Sequence, residues 1–238
     1  MELEGKVAIV TGAAAGTGRV FADRLAAKGA TVVVADLDDQ AGVETARDVR
    51  GRFVRTDVTD RADLERLVAF AREQLDGPHI LVNNAGGGGH VEPQFPEANP
   101  SEWGATLDLN LRAPMLATQL VLEPMRERGG GAIVNVASTA GLGGAPHQSP
   151  EYAAAKAGLI RFTSALGRLD GVRVNCIVPD WILTERAERE LAEMSPEERA
   201  AAPTPVAPKR LAERVVELIR DDSLAGQVLV IYGADPPP

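Results

Sequence analysis

The chain has 238 residues and a formal net charge of −9, with a sequence pI near 5.0. This length suits one large α/β domain, and the acidity argues against a nucleic-acid or anionic-membrane partner, because both need a basic face. Apolar residues make up 45% of the chain and aromatic residues 4%, so we expect a core of Val, Leu, Ile and Ala, as in buried parallel strands.

Cysteine content and hydropathy favour a cytoplasmic protein. Cys176 is the single cysteine, so no intramolecular disulfide can form, which fits a reducing compartment. It lies in an apolar run and is expected to be a buried thiol rather than a nucleophile. The sequence shows no signal-like start and no run approaching ~18 apolar residues. No metal site is predicted.

The N-terminal residues predict a dinucleotide-binding unit. Residues 6–10 form an apolar run typical of a strand, the stretch from Thr11 to Gly18 a glycine-rich turn, and the pattern to Lys28 a helix. A second strand at 31–35 ends at Asp36. Glycines let a diphosphate approach the N–H groups of a helix N-terminus, and an acid at this distance suits the adenosine ribose. An ordinary glycine-rich turn is the less favoured alternative.

Asp36 favours NAD over NADP. A 2′-phosphate would meet this carboxylate as a like charge, and neither Ala15 nor Leu37 supplies a compensating cation. Arg19 is the nearby base, but the first helical turn places it beside the pyrophosphate as easily as the ribose.

The next segments alternate between helix and strand. Asp57 follows a strand and has two compatible interpretations: it contacts the adenine amino group, or Thr59 or Asp60 beside it caps the next helix. A later strand ends in Asn83-Asn84-Ala85-Gly86, small and amide residues that suit a ligand-binding edge, with a plain turn as the alternative. The predicted elements are a helix at 40–49, a strand at 52–55, a helix at 62–75 and a strand at 79–82.

In the middle of the chain, Ser101 is predicted to cap a helix that runs to about Val121. Asn110 lies inside this helix, where an asparagine is usually solvated or locally bonded, so it is not a functional signal by itself. A strand at 132–137 then delivers Ser138 at its end.

Tyr152 and Lys156 lie four residues apart, on one face of a predicted helix followed by an amphipathic run from 157 to 169. A fixed cation beside a tyrosine favours the phenolate and lowers a pKa that is otherwise ~10. The pair is therefore a candidate general acid/base. The spacing alone is weak, because a tyrosine packed on a lysine stem explains it equally well.

The C-terminal part predicts a strand at 172–178, a turn at Pro179-Asp180, one or two amphipathic helices at 185–202, a helix at 210–220 and a strand at 227–231. The segment 184–208 is a candidate lid, with a solvated surface helix as the alternative. The tail at 236–238 is expected to fray.

Taken together, Thr11-Gly-x-x-x-Gly-x-Gly18, Asp57, Asn83-Asn-Ala-Gly86, Asn110, Ser138 and Tyr152-x-x-x-Lys156 resemble the signature series of the short-chain dehydrogenase/reductase family, in family order from Lys6 to Gly233. The resemblance implies a single domain over 1–238 with a Rossmann-type doubly wound sheet, mostly or wholly parallel, and helices on both faces. It also implies a homo-oligomer, either a dimer or a tetramer.

The resemblance implies an NAD-dependent oxidoreductase that interconverts a secondary alcohol and a ketone. Tyr152 is then the acid/base, Lys156 lowers its pKa and binds the nicotinamide ribose, Ser138 hydrogen-bonds the substrate oxygen, and Asn110 holds a water of the proton relay. An NADP-dependent carbonyl reductase and a non-catalytic dinucleotide-binding protein stay as alternatives. The positions that match cofactor contacts are Gly12, Ala15, Gly16, Thr17, Gly18, Asp36, Leu37, Asp57, Val58, Asn84, Ala85, Gly86, Tyr152, Lys156, Pro179, Ile182 and Thr184.

The chain departs from the family pattern in four places. Asp180 replaces a glycine, and a longer interval before Tyr152 leaves Thr139 as a stand-in for Ser138. The intervals at 157–175 and 223–226 are short. We expect an uncharged substrate of moderate size, and His147 to be a solvated loop residue rather than a proton carrier. The candidate pocket residues are Gly88, His90, Phe95, Leu142, Gly144, His147, Gln148 and Trp181.

Overall fold

The computed structural model describes residues 1–89, 91–143 and 146–234. Within these ranges one sheet contains eight strands, in the order β3-β2-β1-β4-β5-β7, with β6 and β8 both paired to β7. All pairings are parallel except that of β6. The strands are β1 (Val7–Thr11), β2 (Thr31–Asp36), β3 (Arg52–Arg55), β4 (Ile80–Asn83), β5 (Gly131–Val136), β6 (Arg168–Leu169), β7 (Val172–Pro179) and β8 (Val228–Ile231).

Helices cover both faces of this sheet. Side chains alternate along β1, so that Ala8 and Val10 pack with the helices at 16–26 and 208–220, while Val7 and Ile9 pack with the helices at 61–75 and 113–127. The predicted doubly wound, mostly parallel fold is confirmed. The helices are α1 (Gly16–Ala26), α2 (Asp39–Asp48), α3 (Arg61–Leu75), α4 (Pro100–Leu107), α5 (Ala113–Glu127), α6 (Pro150–Leu166), α7 (Glu185–Glu193), α8 (Pro196–Ala201) and α9 (Pro208–Arg220).

The predicted cap at Ser101 is wrong. Asn99 caps α4: its side chain accepts hydrogen bonds from the Ser101 and Glu102 N–H groups, and the Glu102 side chain accepts one from the Asn99 N–H. Asparagine caps as well as serine does, and Pro100 suits the first helical position. The helical stretch continues from α4 through a π-helical turn at Asp108–Arg112 into α5. It ends with α5, beyond the predicted end at Val121.

The end of α6 also differs from the prediction. The amphipathic run was expected to reach residue 169, but α6 ends at Leu166 because Gly167 adopts a positive φ of 56°. The two residues of β6 then pair with the start of β7. The predicted segment at 185–202 forms two helices, α7 and α8, capped by Thr184 and Ser195.

Cys176 is fully buried, as predicted. Burial raises the pKa of its thiol to about 12, which keeps it protonated and unreactive. Among the helices of the described residues, none combines the length and apolarity needed to cross a bilayer. The expected fraying of the tail at 236–238, and the pocket candidates His90 and Gly144, lie outside the described residues.

Candidate active site

The glycine-rich turn between β1 and α1 packs closely against the end of β4. A Cβ atom at Gly18 would overlap the Gly12 carbonyl oxygen and the Asn84 amide, and one at Gly12 would lie 2.8 Å from the Ala85 Cα. The Asn84 Nδ2 donates to the carbonyl oxygens of Thr11, at 2.9 Å, and Gly12, at 3.0 Å. Asn84 therefore joins two strand ends beneath the turn.

The outer side of the same turn is open. Gly16 has a φ of +55°, and a Cβ atom built there would meet nothing within 4 Å. The residue that precedes α1 is Ala15, which offers no side-chain cap to the first N–H groups of the helix. Uncapped N–H groups at a helix N-terminus attract anions. Residues 15–18 therefore fit a dinucleotide diphosphate.

Asp36 lies beside this turn at the end of β2. Its Oδ2 accepts a hydrogen bond from the Ala14 N–H at 2.9 Å, and its Oδ1 accepts one from the Leu37 N–H at 2.7 Å. Arg19 is turned away and pairs with Asp48 at 2.9 Å on the surface. The carboxylate is therefore not paired with Arg19 and lies next to the open face of the turn.

Asp57 and Asp60 have separate contacts. The Asp60 side chain caps α3 by accepting from the Ala62 N–H at 2.8 Å, so the predicted cap is confirmed at that residue. Asp57 Oδ1 accepts from the N–H and the hydroxyl of Thr59. Val58, between Asp57 and Thr59, is buried. An adenine contact by Asp57 stays a prediction.

Asn110 is fully buried in the π-helical turn, not solvated. Its Nδ2 donates to the Gly87 carbonyl at 2.8 Å and to the Thr106 carbonyl at 3.0 Å, and its Oδ1 accepts from the Gly87 N–H at 3.0 Å. A Cβ atom at Gly86 would lie 2.9 Å from Asn110 Oδ1 and 3.1 Å from Lys156 Nζ. Both side chains therefore converge on the loop after β4.

Lys156 is buried beside the end of β5. Its Nζ donates to the Val136 carbonyl at 3.0 Å and lies 5.6 Å from the centre of the Tyr152 ring. Burial lowers the pKa of this ammonium from 10.5 to about 8. The group therefore carries its charge at neutral pH with few partners to offset the loss of water.

Burial raises the pKa of Tyr152, and the hydrogen bond with Ser138 and the charge of Arg186 lower it by less. The net direction is opposite to the one predicted from Lys156 alone, because the sequence does not show how deeply the phenol is buried. Thr139 does not replace Ser138 here: its hydroxyl donates to Asp180 Oδ1 at 2.8 Å. Ser138 is thus the hydroxyl that meets Tyr152.

The turn after β7 tolerates Asp180 without strain. Asp180 is not among the residues with positive φ, and its N–H donates to the Ile231 carbonyl at 3.0 Å. Ile182 forms an isolated parallel bridge with Val206, and Thr184 caps α7 through its hydroxyl. The predicted contact positions after β7 therefore keep an ordered backbone although the glycine is absent.

A cleft of about 620 Å³ opens above Ser138 and Tyr152. It is bordered by the loop after β4, the ends of β5 and β7, and the first turn of α7. Of the described pocket candidates, His147, Gln148 and Trp181 line it, whereas Gly88, Phe95 and Leu142 do not. His147 is half-buried rather than solvated, and its ring stacks on Tyr152 with centres 6.0 Å apart.

The sequence reasoning missed Arg186, which lines this cleft from α7. Thr184 was placed at the site, and Arg186 follows in the same helical turn, which is the signal that would have identified it. In the described part of the chain, no group of three or more His, Cys, Asp or Glu side chains is arranged to hold a metal ion.

The sequence and the fold of this chain resemble those of known dehydrogenases and reductases. Residues 6–195 match the family described as short chain dehydrogenase. A D-beta-hydroxybutyrate dehydrogenase of Cupriavidus necator is 35% identical, over 79% of this chain and 75% of that protein. A 3-oxoacyl-(acyl-carrier-protein) reductase of Thermotoga maritima is 33% identical, over 98% of both. A solved 7α-hydroxysteroid dehydrogenase, complexed with NADH and 7-oxo glycochenodeoxycholic acid, superposes with a TM-score of 0.86 at 28% identity, covering 98% of this chain and 95% of that chain.

Proposed function

The chain belongs to the short-chain dehydrogenase family, whose members are NAD(P)-dependent oxidoreductases acting on CH–OH or carbonyl groups, and we propose that it uses NAD to interconvert a secondary alcohol and a ketone. One observation carries the proposal: Ser138 and Tyr152 line one cleft, with the buried Lys156 ammonium 5.6 Å from the Tyr152 ring centre, on the sheet edge that also holds the glycine-rich turn.

Tyr152 is the proposed acid/base. In reduction, its phenol donates a proton to the substrate carbonyl oxygen while the Ser138 hydroxyl donates a hydrogen bond to the same oxygen. Burial favours the protonated phenol, which is the form that reduction needs. In oxidation, Tyr152 takes the hydroxyl proton. The Lys156 ammonium, 5.6 Å from the ring centre, stabilises the phenolate.

The nicotinamide cofactor, when bound, supplies or accepts the hydride. The residues proposed to hold it follow the sheet edge: Ala15, Gly16, Thr17 and Gly18 at the diphosphate, Gly12, Asp36, Leu37, Asp57 and Val58 at the adenosine, and Asn84, Ala85, Gly86, Lys156, Pro179, Ile182 and Thr184 at the nicotinamide riboside. Asn110 is proposed to hold a water beside the Lys156 ammonium, because the side chains of Asn110 and Lys156 both approach the loop that contains Gly86.

Asp36 supports NAD rather than NADP. The carboxylate lies beside the turn, and Arg19, the nearby base, is paired with Asp48 instead of facing it. A 2′-phosphate would therefore meet the negative charge of Asp36 without a compensating contact from Arg19. An NADP-dependent carbonyl reductase is the second candidate within the same chemistry, and the ratio of turnover with the two cofactors separates them.

We propose one catalytic domain in which 184–208 closes over the cleft, since the Ile182–Val206 bridge fixes both ends of that segment at the sheet edge.

We also propose a homo-oligomer, a dimer or a homotetramer, because an apolar groove of about 430 Å³ between α5 and α6 includes the exposed Met115. Light scattering measures the oligomeric state. The buried free thiol supports a cytoplasmic location, which cell fractionation tests.

The test is turnover. Purified protein is mixed with NAD or NADP and a panel of secondary alcohols and sugars, and the absorbance of reduced nicotinamide is followed. Tyr152→Phe removes the proposed acid/base, and Tyr232→Phe removes a phenol that does not line the cleft. We expect activity with NAD that is lost only in Tyr152→Phe. Cofactor binding without turnover, or turnover indifferent to Tyr152, contradicts the proposal and favours a non-catalytic dinucleotide-binding protein or another mechanism.

A further inference from the structure

Among the described residues that line the cleft, Arg186 is the one Lys or Arg side chain. The N-terminal end of its helix is anchored: Thr184 caps α7, and Ala187, next to Arg186, is fully buried. The position from which the guanidinium enters the cleft is therefore set by packing and capping, not by a loose surface loop.

The guanidinium lies within electrostatic reach of the reacting centre. The charge of Arg186 lowers the pKa of Tyr152, although burial outweighs it. A substrate whose carbonyl oxygen meets Tyr152 and Ser138 therefore extends into the field of this cation.

The ion pair between Arg186 and Glu190 is weak, so a substrate anion can replace the Glu190 carboxylate. The Arg186 Nη1 bonds Glu190 Oε1 at 3.0 Å, and the two side chains are 45% and 39% exposed. An exposed ion pair at this helical spacing contributes little to stability. A guanidinium also has five N–H donors, so donors remain for a second anion.

We propose that Arg186 binds an anionic group of the substrate, a carboxylate or a phosphate, so that the enzyme acts on hydroxy acids and oxo acids or on their phosphorylated counterparts. The inference rests on the proposed alcohol/ketone function and names the substrate class of the same site. It replaces the uncharged substrate that the small and apolar pocket candidates suggested.

Asp180 favours one orientation of the substrate in the cleft. It lines the same cleft, and its carboxylate is bonded to the Thr139 hydroxyl at the sheet edge rather than to Arg186. A negative charge there repels a substrate anion from the wall beside Ser138. The anionic end is thus directed to α7, and the reacting carbon stays beside Tyr152.

The experiment compares matched substrates. Short oxo acids are measured against their methyl esters, and dihydroxyacetone phosphate against dihydroxyacetone, with reduced cofactor. We expect the anion of one pair to have a kcat/KM about tenfold or more above its neutral partner. Whichever pair shows the preference identifies the anion as a carboxylate or a phosphate.

Variants assign the preference to the residue. Arg186→Gln is expected to remove most of it, mainly by raising KM for the anion and not for the neutral partner, because a group distant from the reacting carbon binds ground and transition states alike. Arg186→Lys should restore part of it. Arg189→Gln, which removes an exposed charge of α7 that does not line the cleft, should leave it unchanged.

The outcomes separate this inference from the proposed function. Equal turnover of acid and ester, or a preference that survives Arg186→Gln, overturns the anion site while leaving the Tyr152 chemistry in place. If neither these compounds nor the secondary alcohols and sugars of the turnover panel react, the proposed function fails, and calorimetric titration with the oxo acids decides the site. Binding that Arg186→Gln abolishes and Arg189→Gln keeps supports it, and absence of binding overturns it.

Discussion

Replacing Lys156 by methionine should abolish activity and make the protein more stable at neutral pH. The ammonium is almost completely buried, and burial moves its pKa from 10.5 to about 8. A group whose folded pKa lies below its unfolded pKa binds its proton more weakly in the folded chain. At pH 7 the protonated lysine therefore opposes folding, and a methionine of similar shape does not.

The size of the effect follows from that pKa difference. Each pKa unit corresponds to about 1.4 kcal/mol, so a pKa of about 8 instead of 10.5 costs about 3 kcal/mol at pH 7, where both states are mainly protonated. Loss of the hydrogen bond to the Val136 carbonyl offsets about 1 kcal/mol. We expect a net gain of about 2 kcal/mol in the free energy of unfolding.

Urea unfolding of wild type and Lys156→Met measures this gain, with Lys209→Met as the control for loss of an exposed ammonium. Between pH 8 and 10.5 the folded chain has released a proton that the unfolded chain keeps, so wild-type stability gains from this group as pH rises. The advantage of methionine should therefore shrink at pH 10. A variant that is no more stable at pH 7, or an advantage that does not change with pH, would refute the reasoning.

Three further predictions concern other residues. Asp36→Asn keeps a hydrogen-bond acceptor but removes the charge, and the ratio of kcat/KM for NADP to that for NAD should rise about tenfold; an unchanged ratio would show that Asp36 does not discriminate. Burial lowers the pKa of His79, whose Nδ1 accepts a hydrogen bond from the Val7 N–H. The free energy of unfolding should therefore fall as pH drops below 6.5 toward the folded pKa, and His79→Gln should reduce this pH dependence in urea unfolding. An equal pH dependence in both proteins would argue against it. Ser138→Ala should lower kcat about 100-fold, whereas Thr139→Ala should change it only a few fold; the reverse order in steady-state assays would make Thr139 the working hydroxyl.

The parts of the site that were predictable are those carried by local patterns. The glycine-rich turn and Asp36 were recognised because strand, turn, helix and acid follow one another within 36 residues. The Tyr152-x-x-x-Lys156 pair is a helical spacing, and the order of motifs placed Ser138 beside it. In each case the informative residues are close in sequence, or belong to one ordered series.

The features that were missed depend on contacts between distant segments. The π-helical turn accommodates Asn110 against Gly87 across a loop, and β6 consists of two residues defined only by their pairing. The direction of the Tyr152 pKa depends on burial beneath elements that the local sequence does not identify. The position of Arg186 two residues after Thr184 made it a candidate, but its entry into the cleft depends on where α7 lies over the sheet edge.

The hydrogen bonds that Asn84 makes to the glycine-rich turn affect which parts of the enzyme's site can vary in sequence. Asn84 fixes the backbone beneath the glycine-rich turn by hydrogen bonds to the main-chain carbonyl oxygens of Thr11 and Gly12, which are present whatever side chains surround them. The opposite wall, around His147 and Arg186, is made of side chains on a loop and a short helix. Mutations at His147 and Arg186, which are not among the proposed cofactor contacts, would therefore change which substrates fit, while the backbone held by Asn84 stays in place.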